Sequence, residues 1–218
     1  MNILAIDTCT EVCSVCLYQD GKWYSRFIKD RIKASSLILP LCDEVFSQAG
    51  IQAQNLDLIA YTKGPGSFTG VRMCVGITQG IASAYDIPTL GFSTLEVVGF
   101  GASQKYAVNN IAVALDARMG EIYWGLYQDQ TLIVETLKKP DEVDPLSDDF
   151  IGVGMGFKAY ENPLVTASGV IEYHAEFYPM AENLVLLGLT KVKENLAVYD
   201  KLALPLYLRN NVAVKSLK

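Results

Sequence analysis

The chain repeats itself. Slid along its own sequence until Asp7 meets Asp116, Ile3-Leu4-Ala5-Ile6-Asp7 lies over Ala112-Val113-Ala114-Leu115-Asp116. Without a gap, Leu17-Tyr18-Gln19-Asp20 then lies over an identical Leu126-Tyr127-Gln128-Asp129. Four consecutive identities beside an aligned strand-terminal Asp are improbable by chance, so the chain reads as a duplication. Each copy reads as an apolar strand ending in Asp, a short loop, a second strand, a turn and a third strand. The third strands fall at residues 22–28 and 131–136. Asp20-Gly21 is a strong hairpin signal, and Asp129-Gln130 in the second copy is a weaker one.

Beyond the first meander, Leu37, Ile38, Leu41 and Val45 recur at helical spacing, which predicts a helix over 35–49 with Gly50 as its C-terminal cap. A strand over 56–61, the loop Lys63-Gly64-Pro65-Gly66-Ser67-Phe68, a helix over 69–85 and a strand over 87–91 follow. Ser93-Thr94-Leu95-Glu96 has the form of a capping box and opens a third helix. The second half continues with Asp148, Asp149, a short strand over 150–153, the glycine-rich Gly152-Val153-Gly154-Met155-Gly156, and a helix near 180–194 ahead of Leu204-Pro205-Leu206-Tyr207-Leu208-Arg209. Three strands, then helix, strand, helix, in two copies, is the order of the actin/Hsp70/sugar-kinase superfamily. The expected fold is therefore α/β, actin/Hsp70/sugar-kinase-like (ribonuclease H-like), with duplicated βββαβα lobes of which the second is degenerate. The lobes are expected at 1–103 and 104–203, with 204–218 packing back on them.

Composition narrows the function. Half of the 218 residues are hydrophobic and 19% are charged, as in a globular protein with a sizeable core. The first residues lack the basic n-region of a secretory signal, and Asp7 interrupts the apolar run. No stretch approaches the roughly 20 apolar residues that span a bilayer. The expectation is a cytoplasmic protein with no membrane association. Its five cysteines are an odd number, which suits reduced thiols. The net charge of −6 and the lack of a basic stripe make a poor nucleic-acid binder, because phosphate neutralisation by Lys and Arg supplies most of that affinity.

Two loops sit where that superfamily holds ATP phosphates and positions Mg²⁺ through an Asp: Asp7-Thr8-Cys9-Thr10 and Asp116-Ala117-Arg118. Cradling phosphate needs a close backbone approach, usually at Gly. Neither loop has Gly beside its Asp, and Gly120 comes later. A small-molecule kinase or ATPase is thus the alternative function, with the reading of a retained fold and lost chemistry ahead of it. Gly64, Gly66, Ser67 and Thr69 open a helix and form either an anion site, since free N–H groups and the dipole favour negative charge there, or a rigid structural turn. Gly154 and Gly156 form a second such loop. Gly76, Gly80 and Ala84 make a ridge of small residues that suits either a neighbour in the same lobe or another subunit. Helix 35–49 carries apolar residues beyond one face, Leu37, Leu41 and Val45 on one side and Leu39 and Phe46 on others, and this hints at an interface. Cys9, Cys13 and Cys16 have the spacing of an iron–sulfur site. On a strand, however, Cys13 and Cys16 point to opposite faces, so small core residues are the better account. A single histidine, His174, excludes a paired-histidine zinc site.

Four segments together resemble the TsaB (YeaZ) family of tRNA-modification proteins: Ile3-Leu4-Ala5-Ile6-Asp7-Thr8, Gly64-Pro65-Gly66-Ser67-Phe68-Thr69-Gly70-Val71-Arg72, Leu115-Asp116-Ala117-Arg118-Met119-Gly120-Glu121-Ile122-Tyr123-Trp124, and Leu206-Tyr207-Leu208-Arg209-Asn210-Asn211-Val212-Ala213. The match runs nearly end to end, and its glycine-rich string is highly specific. The resemblance implies a non-catalytic part in making threonylcarbamoyladenosine beside the anticodon of tRNAs that read ANN codons. The partners it implies are a TsaD-type paralogue, which holds the metal and transfers the threonylcarbamoyl group, and a TsaE-type ATPase. tRNA is reached only through the complex, and the chain alone is expected to form a homodimer. No cofactor is implied for the chain itself, although a nucleotide at the complex interface fits the resemblance. Mapped here, the partner interface is Leu37, Ile38, Leu41, Val45, Val71, Arg72, Val75, Gly76, Gln79 and Gly80. TsaD-type chains carry paired metal-binding histidines on the first helix. Here Ala34, Ser35 and Leu37 stand in that region. Several TsaB relatives have a histidine where Ala34 stands.

Overall fold

The computed structural model describes residues 1–29, 34–194, 199–200 and 202–209. The first half opens with an antiparallel meander, β1 (Asn2–Asp7), β2 (Cys13–Gln19) and β3 (Lys22–Ile28). Then come α1 (Ala34–Ala49), β4 (Leu58–Thr62), α2 (Phe68–Tyr85), β5 (Thr89–Phe92) and α3 (Thr94–Tyr106). The second half repeats the meander as β6 (Asn110–Arg118), β7 (Glu121–Gln128) and β8 (Thr131–Lys138). It continues through β9 (Ile151–Val153), the single turn α4 (Gly156–Ala159), α5 (Glu161–Ser168), β10 (Tyr173–His174) and α6 (Ala181–Lys193). Both sheets have one strand order, β3-β2-β1-β4-β5 and β8-β7-β6-β9-β10. Where the first half has α1, the second has a single 3₁₀ turn, Pro140–Glu142, so its lobe is the degenerate one. This is the expected duplicated α/β architecture.

Local chemistry explains most element ends. Asp129 and Gln130 take φ of 45° and 63°, close to Asp20 at 44°, so the weaker hairpin signal makes the same kind of turn as Asp20-Gly21. Ser67 caps α2 by accepting from the Gly70 N–H, and Ser93 caps α3 by accepting from that of Leu95. The Ser93 hydroxyl also donates to Glu135 across the lobe boundary. The third strand of the second copy runs two residues longer than expected, to Lys138. β4 begins at Leu58 rather than Leu56, because residues 53–55 form a 3₁₀ turn.

Five layers result. α1 and α2 cover one face of the first sheet, where Leu4, Ile6, Ile38, Leu41, Val45, Ile59, Val71 and Val75 pack together. The 3₁₀ turn, α4 and α5 side of the second sheet is a smaller core around Trp124, Phe157 and Leu164. Between the sheets lie α3 and α6, and these two helices are exchanged. α3 follows the strands of the first half yet packs on β6, β7 and β8, while α6 ends the second half and packs on β1, β2 and β4. The middle core therefore mixes Ile3, Ala5 and Leu58 with Leu184 and Val185, and Leu95 and Val98 with Val113 and Tyr127. The expected division at residue 103 separates the two sheets in sequence, but each sheet takes its inner cover from the other half.

The sequence repeat needs one correction. On β2, Cys13, Val15 and Leu17 face the outer helices, and on β7 Ile122, Trp124 and Leu126 do the same, in step with the match. On β1, Ile3 and Ala5 face the middle core, but Ala112 and Ala114, which the match lays over them, face the outer core. A bulge between Asp116 and Arg118 shifts the pairing by one residue, and a one-residue slip turns every side chain to the other face. Asp7 pairs with Ser14, and its counterpart opposite Tyr123 is Leu115, not Asp116.

Candidate functional site

A cleft of about 870 Å³ opens between the lobes, walled by the loop after β1, the start of α2, the β6–β7 hairpin and the segment Leu206–Arg209. Thr8, Gly66, Ser67 and Thr69 of the expected anion loops line it, whereas Asp7, Gly64, Gly154 and Gly156 do not. Close packing accounts for the glycines. A Cβ at Gly66 would stand 2.1 Å from the Cys9 carbonyl oxygen, and one at Gly70 would stand 2.0 Å from that of Thr8. The Ser67 N–H donates to the Cys9 carbonyl, and the Thr8 hydroxyl donates to the Gly70 carbonyl at 2.7 Å. The loop that follows β1 is thus pressed against the start of α2. Gly64 precedes a cis-proline and is enclosed by the Leu206 carbonyl and Val71, while Gly154 and Gly156 back onto Ala114 of β6.

Asp7 is fully buried. Its Oδ1 accepts from the Thr62 hydroxyl and, at 3.3 Å, from the Cys9 N–H, while Oδ2 has no partner among the described residues. Burial pushes its carboxyl up to about 7, and the bonds from Thr62 and Cys9 only partly offset this. Cys9 and Cys74 surround the same Thr62 hydroxyl, and burial holds the Cys9 thiol well above its ordinary range. Cys13 packs in the outer core and Cys16 in the middle one, as strand alternation requires, and both thiols are pushed up to about 12 by burial. Asp116 is engaged by direct partners instead. Its Oδ2 pairs with the Arg118 guanidinium at 2.7 Å, and its Oδ1 accepts from the Arg118 N–H at 2.8 Å and the Tyr160 hydroxyl at 3.1 Å. Among the described residues, no group of three or more His, Cys, Asp or Glu side chains is arranged to hold a metal ion.

The interface expected on the first-lobe helices divides by burial. Ile38, Leu41, Val45, Val71 and Val75 are core residues, the three on α1 turned inward against β2 and β3 and the two on α2 against β4 and β1. They cannot touch a partner without unfolding, and this corrects the expectation for those five. Helical periodicity marks an apolar face but does not say what covers it, and here the chain's own sheet covers it. Leu37 is half-buried, and the Gln79 amide is spent on the Ala203 carbonyl. Arg72, Gly76 and Gly80 are exposed, as are Leu39 at 56% and Ala84. Among the described residues, nothing lies within 4 Å of a Cβ built on Gly76 or Gly80, so the small-residue ridge faces open space there and not a described neighbour in its own lobe.

Sequence reasoning missed the C-terminal segment's part in the cleft. Arg72 stacks on the Phe68 ring at 3.7 Å and donates to the Tyr207 hydroxyl at 3.1 Å. Arg209 reaches Glu121 in the second lobe. Alternating apolar and polar residues in Leu206-Tyr207-Leu208-Arg209 were the available signal. Asn210, Asn211, Val212 and Ala213 of the same motif lie outside the described residues. No described helix is long and apolar enough to cross a membrane.

Comparison with known proteins adds a family. Residues 32–216 match the family model described as TsaD, tRNA N6-adenosine threonylcarbamoyltransferase. The tRNA threonylcarbamoyladenosine biosynthesis protein TsaB of Escherichia coli K12 is 38% identical over 228 residues, covering 100% of this chain and 98% of that protein. The Haemophilus influenzae protein of the same name is 33% identical, with 100% and 97% covered. The solved structure of YeaZ from Pseudomonas aeruginosa superposes with a TM-score of 0.86 at 33% identity, covering 95% of this chain and 99% of that one.

Proposed function

The chain belongs to the TsaB family, and from that premise we propose that it serves tRNA threonylcarbamoyladenosine synthesis as a non-catalytic docking partner. Its partner is a TsaD-type transferase, joined by a TsaE-type ATPase, and the product lies beside the anticodon of tRNAs that read ANN codons. The observation that carries the reading is the disabled cleft. Asp7 is sealed under Thr62 and Cys9, its counterpart in the other lobe is Leu115, and Asp116 is tied to Arg118. A metal-positioning carboxylate needs a free oxygen facing the cleft; Asp7 does not line the cleft, and Asp116, which does, has both oxygens engaged by Arg118 and Tyr160. The kinase or ATPase alternative rests on those two residues, so their surroundings weigh against it.

Docking is assigned to the outward faces of α1 and α2. Leu39 supplies an exposed apolar contact, and the open ridge of Gly76, Gly80 and Ala84 lets a partner helix approach closely. Alone, the chain uses the same faces to form a homodimer. The net charge of −6 assigns the grip on tRNA to the complex. The protein holds no cofactor of its own in this reading, and any nucleotide belongs to the interface with the partner. It works in the cytoplasm.

The test is reconstitution with the TsaD-type and TsaE-type proteins and the enzyme that forms the threonylcarbamoyl adenylate. The chain alone should leave tRNA unmodified, and the mixture lacking only this chain should be nearly inactive. Full modification without it would refute the assignment. Steady Mg-ATP turnover by the isolated chain, lost in Asp7→Asn, would instead favour the kinase alternative.

A further inference from the structure

We propose that the C-terminal segment is a strap that holds the two lobes at one closure, with Arg209 as its latch. The segment is anchored first on the far edge of the first sheet. The Asp200 N–H donates to the Thr89 carbonyl, and the Asp200 carboxylate accepts from the Tyr61 hydroxyl and the Gly91 N–H, each at 2.9 Å. The same Tyr61 hydroxyl, on a ring that is 1% exposed, accepts from the Leu204 N–H at 3.2 Å. From there the segment runs beside α2 in the opposite direction. Ala203 accepts from Gln79 and Tyr207 from Arg72, while the Leu206 N–H donates to the Lys63 carbonyl at 2.6 Å. Its last described residues then cross the mouth of the cleft. The Arg209 guanidinium donates to the Glu121 carboxylate and, at 3.3 Å, to the Arg118 carbonyl, both on the β6–β7 hairpin of the other lobe.

The anchors and the latch are unequal. On the first lobe the strap is held by backbone hydrogen bonds and a buried tyrosine. On the second it is held at Arg209, whose side chain is 17% exposed, against a Glu121 that is 33% exposed. The lobes are already joined by the exchanged helices α3 and α6, which pack between the two sheets. A tie across the mouth of a cleft resists separation of the two walls it joins. Separation of the hairpin from the α2 wall therefore requires release of Arg209 together with the long Tyr123 hydroxyl bond to the Gly66 carbonyl, 3.5 Å, across the same two walls. A charge-assisted pair reinforced by a backbone carbonyl suits this role, since it is directional and depends on both partners.

The experiment uses the isolated full chain, and exchange at the two cleft walls reads the strap separately from the docking assignment. Amide hydrogen exchange and small-angle scattering are compared for the wild type, Arg209→Ala, Glu121→Ala, Arg209→Lys and the exchanged pair Arg209→Glu with Glu121→Arg. Circular dichroism verifies that each is folded. Each alanine variant should speed exchange about tenfold in the hairpin at 118–121 and in the facing loop at 66–70, and should raise the radius of gyration. Arg209→Lys should stay near the wild type, and the exchanged pair should recover its protection. The proposal is overturned if the alanine variants loosen the strap alone while both cleft walls keep wild-type exchange, if nothing changes, or if the exchanged pair stays as open as the single variants.

Discussion

Asp7 keeps its proton in the folded protein up to about pH 7, because burial strips the carboxylate of water and its Oδ2 finds no donor among the described residues. In the unfolded chain the same group ionises near 3.8. Between those values the folded state holds a proton that the unfolded state has released, so stability falls as pH rises through that window. The full loss, reached above about pH 7, is about 4 kcal/mol. Urea unfolding near pH 5 and near pH 8 should show the decline, and Asp7→Asn should flatten it and be the more stable protein at the higher pH. An unchanged slope in that variant would place the dependence elsewhere. Leu41, turned into the core beneath α1, makes a different prediction. Leu41→Arg should cost the isolated chain on the order of 3–5 kcal/mol of stability, because a charge enters an apolar core without a partner. A wild-type melting temperature with lost docking would mean that Leu41 faces outward after all.

The two outer helices separate stability from docking. Leu39 is exposed on α1, so Leu39→Arg should leave the melting temperature within a degree or two of the wild type, about 0.5 kcal/mol, while weakening capture of a TsaD-type partner. Equal capture would move the interface off α1. Gly80 stands in open space on α2, so Gly80→Ala should raise the stability of the isolated chain by about 1 kcal/mol through helix propensity alone. Gly80→Arg should block close approach of a partner helix, and the two variants together test whether the ridge serves packing or docking. Helix and strand periods made most of these elements legible in the sequence, including the meanders and both outer helices of the first lobe. Helices α4 and α5 were not legible. The first is one turn after a glycine-rich loop, and the second carries Pro163 near its start and has too few residues for a clear apolar stripe. The bulge in β6 left no mark either, because Arg118 and Met119 take left-handed backbone angles without glycine. The aligned Asp pair was therefore real as letters and wrong as geometry. In the same way, an apolar stripe on α1 and α2 announced burial, and only the packing reveals that most of it is spent on the chain's own sheet.

At the scale of the molecule, the exchange of α3 and α6 makes each lobe depend on the other. A fragment of residues 1–103 would leave Ile3, Ala5 and Leu58 without the cover of α6 and carry α3 with no sheet to rest on. It should be unfolded or aggregated by circular dichroism, and the whole chain should unfold in one transition. A soluble, cooperatively melting fragment would contradict the exchange. The acidic balance makes a second prediction at this scale. Alone, the protein should bind tRNA no more tightly than about 10⁻⁴ M at physiological salt, read by fluorescence anisotropy, and tighter binding that weakens steeply with salt would expose a basic surface the charge count does not suggest. The traded helices also bear on ancestry. Once each half of a doubled gene product roofs the other, reactive groups can be discarded one at a time, but neither half can be deleted or inherited separately. A lineage built this way can lose its chemistry and still be obliged to keep its full length.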